Sequence, residues 1–351
     1  MTRTRFSLIL VAALLAICGA FYLSSQRNLQ RDTRGAPLFP TLAPELDTVS
    51  EVSIIKGSAT PAVTLRKTGE HWSVVQRADY PADQSRLRRL LVTLGDAKVV
   101  EEKTSDPANY PIIGVEDPTK PGAGGAEISV TAQDGKHAVI VGKPVGEGSF
   151  ARRDGESRSY TVEPAISVDA EPHSWIDTRL IDIPSSSIQN VELKPATGPG
   201  YILHRIKPKE EDFALDKIPS GRKALDGKAL APSASTLSGL TAEDVAVAKD
   251  IDFTQSVQAV FTLEDGNVIT LTGTMAGDKR WIEAQSSKDT ALTQKAQSRA
   301  FEIASYRYDA IFRPLDQLLV PKETKPPAKA GAPGKKTGAA PSIKSSSLTG
   351  P

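Results

Sequence analysis

The chain of 351 residues predicts an α+β fold, built as two tandem, internally duplicated units of antiparallel sheet with packed helices behind an N-terminal transmembrane helix. Three observations predict it. First, ISVTAQDGKHAVIVG at 128–142 matches AVFTLEDGNVITLTG at 259–273, with Asp-Gly and a later glycine at a constant spacing of 131. Asp-Gly between two alternating apolar runs is a hairpin signal, and it suits a type I′ turn with positive φ at both central residues. Second, earlier segments repeat too: Val49, Val52 and Ile54 correspond to Ile188, Val191 and Leu193 at a spacing of 139, and VTLRK at 63–67 corresponds to YILHR at 201–205. Third, Leu87, Leu90, Leu91 and Leu94 recur at i, i+3, i+4 and i+7, one face of a helix that ends near Gly95.

In chain order, MTRTRFSLILVAALLAICGAFYLSS opens with Arg3 and Arg5 ahead of an uncharged run from Phe6 to Leu23. At about 1.5 Å per residue the run spans roughly 27 Å, close to the hydrocarbon thickness of a bilayer. An uncleaved anchor over 1–25 is the preferred reading, with a cleaved signal peptide and a lipid-modified Cys18 as its alternatives. Arg27, Arg31 and Arg34 follow the span, so the positive-inside rule is nearly balanced. A short basic segment followed at once by an apolar run reads as an export signal, which puts the body on the periplasmic side of the inner membrane as a single-pass protein. A linker covers 26–44.

The first unit covers 45–185. Asp83, behind Pro81 in YPAD, sits where a carboxylate accepts hydrogen bonds from the first turn of the helix, and it is read as a helix cap rather than a catalytic group. The second unit covers 186–320. Trp72 and Val74 find Phe213 and Leu215 there, and Leu91, Leu94 and Val99 find Leu237, Leu240 and Val245. Phe150 pairs with Trp281 and, more weakly, Trp175 with Tyr306. The helix counterpart is expected around 233–249, behind ALDGKALAPSAS at 224–235 where the first copy has YPAD, and two further helices are expected at 290–305 and 309–319.

Spacing falls between the copies because the first carries an extra loop, DPANYPIIGVEDPTKPGAGG, from Asp106 to Gly125. Long irregular loops are often functional, which makes Tyr110, Ile112, Ile113 and Val115 the candidate partner-binding residues; packing onto the sheet is the plainer alternative. From Pro321 the tail is rich in Pro, Ala, Gly, Ser and Lys and is expected to be disordered. Residues 1–34 carry net +4 and the tail +5, so a whole-chain charge of +1 leaves the body at −8. An acidic body argues against nucleic acid as a partner.

Together, W-x-V, YPAD, L-x-x-LL-x-x-L, DPANYPIIGVEDP, the Asp-Gly hairpin, FARRDGESRSYTVE and WIDTRLIDIP resemble the bacterial family catalogued as domain of unknown function 4340, over about residues 45–320. The resemblance implies an N-terminal anchor, a body outside the cytoplasm, and a place beside ABC-type transporters of the gliding-motility kind with a large auxiliary membrane protein. The family supplies no catalytic residues to carry over. The basic tail and the altered YPAD segment of the second copy depart from its pattern.

No pair among His71, His137, His173 and His204 has a metal-ligand spacing, and Cys18 is the only cysteine, so no metal and no cofactor is expected. There is no G-x-S-x-G and no P-loop; the glycines at 122–125 and 142–148 lie between strands and are read as turn glycines. Acidic clusters occur at Glu101 and Glu102, at Glu210, Glu211 and Asp212, and at Glu243 and Asp244; the middle one, in KPKEEDF, is read as solvated turn charge, and Trp72, Trp175 and Trp281 are read as core anchors. The expected function is non-enzymatic binding by a membrane-anchored envelope protein, an accessory of an ABC-type transport complex whose partner is a permease or auxiliary subunit. The rivals are an envelope hydrolase or carbohydrate-active enzyme using scattered carboxylates, and a scaffold or ligand-binding module.

Overall fold

The computed structural model describes residues 34–208 and 210–321. The apolar run at 6–23, Cys18 and the tail beyond Pro321 lie outside them, and no helix among the described residues is long and apolar enough to cross a membrane.

The first part of the body runs β1 (Glu51–Ile55), β2 (Val63–Thr68), β3 (His71–Val74), β4 (Tyr80–Pro81), α1 (Gln84–Asp96), β5 (Lys98–Glu102), α2 (Tyr110–Ile113), β6 (Ala126–Ala132), β7 (Gly135–Val145), β8 (Gly148–Arg153) and β9 (Ser159–Glu163). These strands form one antiparallel sheet in the order β4-β3-β2-β1-β6-β7-β8-β9-β5. After β10 (Arg179–Ile181) come β11 (Ile188–Lys194), β12 (Tyr201–Arg205), β13 (Phe213–Leu215), α3 (Gly227–Leu230), β14 (Leu240–Thr241), β15 (Asp244–Val247), β16 (Val257–Leu263), β17 (Val268–Ala276), β18 (Lys279–Ser286), α4 (Thr290–Ala296), β19 (Arg299–Glu302) and α5 (Ser305–Ile311). β10 and β14 pair with each other in a small separate sheet, and the other strands form one sheet in the order β13-β12-β11-β16-β17-β18-β19-β15, which matches the first strand for strand once β4 is set aside. Register matches as well. Val52 lies opposite Leu65 and Val130, and Val191 lies opposite Leu203 and Phe261.

One buried apolar cluster runs from Leu38 to Leu319 and takes in residues of both sheets. β1 and β11 contribute alternate residues to it: their valines and Ile54, Ile188 and Leu193 are all buried. α1 adds Leu87, Leu90, Leu91 and Leu94 from its apolar face. Trp175 and Trp281 are buried and Trp72 packs against the cluster.

Several sequence expectations are corrected. No helix covers 233–249: the chain makes α3, two tight turns at Ala231–Ser233 and Ser235–Leu237, then β14 and β15. Pro232 has no N–H to continue a helix, and Gly239 turns the chain at φ +57°. The expected helix at 290–305 stops at Ala296, because Ser298 takes φ +59° and Arg299–Glu302 pairs with β15 as β19. The helix expected at 309–319 lies earlier, as α5, and ends before Pro314. Tyr306 does not match buried Trp175, since it is 70 % exposed and Tyr308 occupies the interior instead.

Both hairpins exist, but neither is a type I′ turn centred on Asp-Gly. In the first, Ala132 pairs with Gly135 around a tip of Gln133 and Asp134, and only Gly135 has positive φ. In the second, the Gly266 N–H donates to the Leu263 carbonyl and the Leu263 N–H to Asn267, a longer loop with Gly266 at φ +74°. That extra residue breaks the constant spacing: opposite Ile128 stands Val139, whereas opposite Ala259, its counterpart, stands Leu271. The spacing is therefore 132 along β7 and β17, and it returns to 131 in β8 and β18 after a register shift between Val141 and Pro144.

Candidate functional site

The candidate loop packs rather than projects. Tyr110 and Val115 are buried in a small cluster with Ile140, on the face of β7 away from the main core, and Ile113 packs against them. Ile112 alone is exposed, at 67 %. Arg152 ties the loop down, with its guanidinium 4.8 Å from the Tyr110 ring centroid and its Nε donating to the Val115 carbonyl at 2.9 Å. The Tyr110 hydroxyl donates to the Ser157 carbonyl. Glycines make this approach possible: a Cβ on Gly142 would lie 2.2 Å from the Ile113 carbonyl oxygen, and one on Gly125 would lie 2.0 Å from that of Gly114. These glycines are seats for the loop, a role that the reading of them as turn residues missed.

Asp83 is the N-cap of α1. Its Oδ1 accepts from the Ser85 and Arg86 N–H groups at 2.9 and 3.0 Å and from the Ser85 hydroxyl at 2.6 Å. Burial alone would raise this carboxyl, but those hydrogen bonds and the Arg89 charge hold it below the ordinary aspartate value. Asp226 caps α3 in the same way, accepting from the Ala229 N–H at 2.9 Å. The sequence stretch ALDGKAL contains that signal, an Asp ahead of a helical turn.

The segment joining the sheets forms a junction. The Asp83 N–H donates to the Trp175 carbonyl at 2.7 Å and the Asp177 N–H to Pro81 at 2.8 Å, while further along Ala242 donates to Thr178 at 2.8 Å and Ile183 to Leu237 at 3.1 Å. One strip of chain therefore hydrogen-bonds to both halves. Beside it, consecutive left-handed residues Ala78 and Asp79 aim the Ala78 carbonyl at Arg299, whose Nε and Nη2 donate to it at 3.0 and 2.9 Å. Arg77 pairs with Asp244. Tyr80, fully buried, meets Phe301 edge to face with centroids 5.6 Å apart. Its hydroxyl has no hydrogen-bond partner among the described residues, and burial, then the Asp177 charge, push its pKa upward.

A cleft of about 330 Å³ opens at this junction, between Arg179–Ile181, Gly239–Thr241 and Lys295. Two carboxylates line it, Asp177 and Asp182. Asp177 accepts from Lys295 Nζ at 3.1 Å and Arg179 Nε at 3.1 Å, and Asp182 accepts from the Gly239 N–H at 2.9 Å. Burial would raise Asp177, yet the Arg179 and Lys295 contacts take it below its ordinary value. Held ionised, it suits a fixed anchor better than a proton donor.

The remaining sequence candidates are scattered. His137 contacts Asp134 at 2.9 Å and His204 contacts Asp216 at 2.8 Å. Glu101 pairs with Lys103, Glu102 with Arg158 and Glu210 with Lys207. Among the described residues no three His, Cys, Asp or Glu side chains come together as a metal set. Sequence reasoning missed Glu127, which is buried on β6; burial and then the Asp154 charge push its carboxyl above the ordinary value, against Lys136 at 3.7 Å.

Two antiparallel sheets of like strand order on one core define a tandem-sheet α+β protein. The model of the family described as a domain of unknown function (DUF4340) matches residues 72–265, more than half of the chain, and the chain belongs to that family. No curated protein and no solved structure matches it.

Proposed function

We propose that the chain is a membrane-anchored envelope protein that acts by binding, as an accessory component of an ABC-type, gliding-like transport complex. In this reading 1–25 is a single span in the inner membrane, the body faces the periplasm, and the units at 45–185 and 186–320 descend from one duplicated ancestor. The apolar run at 6–23 supports the placement, and the association with transporters is what the family resemblance implies. The shared strand order of the two sheets supports the duplication. The observation that carries the binding reading is the junction cleft, where Asp177 is neutralised by Lys295 and Arg179 and the Asp182 carboxylate is engaged by a backbone N–H. Such a site holds parts together, with Asp177 kept ionised by its cationic neighbours.

The test is affinity purification of the tagged full-length protein from detergent-solubilised native membranes, with the bound proteins identified by mass spectrometry. An ABC-type permease or a large auxiliary membrane protein is the expected partner. Recovery of the tagged chain alone would overturn the proposal.

A further inference from the structure

On the first half of the body, two hollows of about 280 and 260 Å³ meet at Ala165 and Ser167. One holds Lys56 and Ser149 beside the loop glycines, the other Arg86, Arg89 and Trp175. The combined lining has three cations and no Asp or Glu, in a body of net charge −8. Arg86 lies 4.9 Å from the Trp175 ring centroid and grips the Asp169 carboxylate at 2.8 Å, so one carboxylate already sits at the groove's end. Lys56 and Arg89 are exposed and form no ion pair among the described residues; the Arg89 guanidinium contacts the Ser85 hydroxyl at 3.4 Å. Between the hollows, 165–168 is neither helix nor strand, and the backbone groups of Ser167 and Val168 have no hydrogen-bond partner among the described residues.

We propose that this groove is the docking site for an extended acidic polypeptide segment of the partner. The inference rests on the binding reading above and gives the partner its chemistry. Lys56 and Arg89 take carboxylates of the segment, while the unpaired main-chain groups of Ser167 and Val168 are open to hydrogen bonds with its backbone. The free carbonyls there need N–H donors, which a peptide supplies and a phosphate at neutral pH lacks.

The test uses the full-length protein in detergent micelles and a fluorescent peptide of alternating glutamate and valine, read by anisotropy. Binding is expected to weaken with added salt, and to be about ten-fold weaker in the Lys56→Glu/Arg89→Glu double variant. Arg88→Glu, a charge reversal on α1 outside the groove lining, should leave it near the wild-type value. An equal loss in Arg88→Glu, no binding by the wild type, or displacement of the peptide by phosphatidylglycerol vesicles would each overturn the proposal. The same double variant separates this inference from the function it rests on. A partner that co-purifies equally with wild type and double variant removes the groove and keeps the accessory role. Groove-dependent peptide binding without any co-purified partner keeps the groove and removes that role.

Discussion

Gly142 in the first sheet and Gly273 in the second occupy the same place in the repeated sequence, yet they serve opposite faces. Gly142 lies under the 106–125 loop, where an added Cβ would meet the Ile113 carbonyl; at Gly273 it would lie 2.3 Å from the Phe312 ring in the main core. The cause is one residue in a turn. In a strand every single-residue slip exchanges the faces, so the longer loop at 264–266 turns Leu271 and Gly273 inward, while Ile140 and Gly142 point outward. An insertion far smaller than an element thus decides that one half is covered by a loop and the other by α5.

The halves also differ at their edges. In the first, β5 is covered by the segment at 35–38: Gly35 donates to Val99 and Leu38 to Ala97, both at 2.7 Å. In the second, the equivalent edge strand β15 faces the turn at Val75–Arg77 through the Arg77–Asp244 pair. The largest effect is therefore expected at the joint. Phe301→Ala should cost about 3–5 kcal/mol, because it empties the space beside Tyr80. Denaturant unfolding followed by tryptophan fluorescence and far-UV circular dichroism should remain one coincident transition, as one shared core requires. Two separated transitions would mean that the halves are independent, and the comparison would then be between two domains.

Next in size are the glycines themselves. Gly273→Ala forces the Phe312 ring aside and should cost about 1–3 kcal/mol of global stability. Gly142→Ala should instead lift the loop. The expected signature is faster amide hydrogen exchange at Val115, whose N–H donates to Tyr110 at 3.0 Å, with a smaller change in the unfolding midpoint. Equal global losses would contradict the assignment of opposite faces.

Local patterns were legible in the sequence where a single period or cap decides the outcome. α1, its Asp83 cap, the paired hairpins and the strands around Val52 and Val191 all fall in that class. The slip at 264–266 was not legible, because both copies keep Asp-Gly and only the hydrogen bonding shows which residues form the tip. Nor was the end of the helix at Ala296, since the run through 305 is compatible with a helix until Arg299–Glu302 is claimed by two neighbouring strands. The loop's fate depended on Gly142 and Arg152, both well outside it. The groove is hidden for the same reason: Lys56, Arg86 and Ser167 meet only through the fold.

Smaller effects should separate the two caps. Asp83→Ala removes bonds to two N–H groups of a 13-residue helix and should cost about 1 kcal/mol, whereas Asp226→Ala, at a four-residue helix, should cost about 0.5 kcal/mol. The Asp83 carboxyl is depressed in the folded state. Its contribution is therefore present above the unfolded aspartate value, about 3.9, and is lost as pH falls through the lower folded value. Unfolding midpoints of wild type and Asp83→Ala should accordingly converge in strong acid; a gap that persists there would assign the effect to packing.

The smallest expected change is also the most direct conversion of one half toward the other. Glu127 on β6 corresponds to Gln258 on β16, which lies opposite Lys194 as Glu127 lies opposite Ile55. Because burial and Asp154 raise the Glu127 carboxyl, the fold favours its protonated form, and ionisation costs stability. That cost is absent below the unfolded glutamate value, about 4.3, grows as pH rises toward the folded value, and is constant above it. Glu127→Gln cannot ionise, so it should match wild type in acid and exceed it at neutral pH, as read from thermal midpoints across that range. The Lys136 contact works against this gain, since the variant forfeits it. A variant less stable than wild type at neutral pH would show that Lys136 outweighs burial, and that the first sheet keeps its glutamate for the ion pair where the second has an uncharged residue.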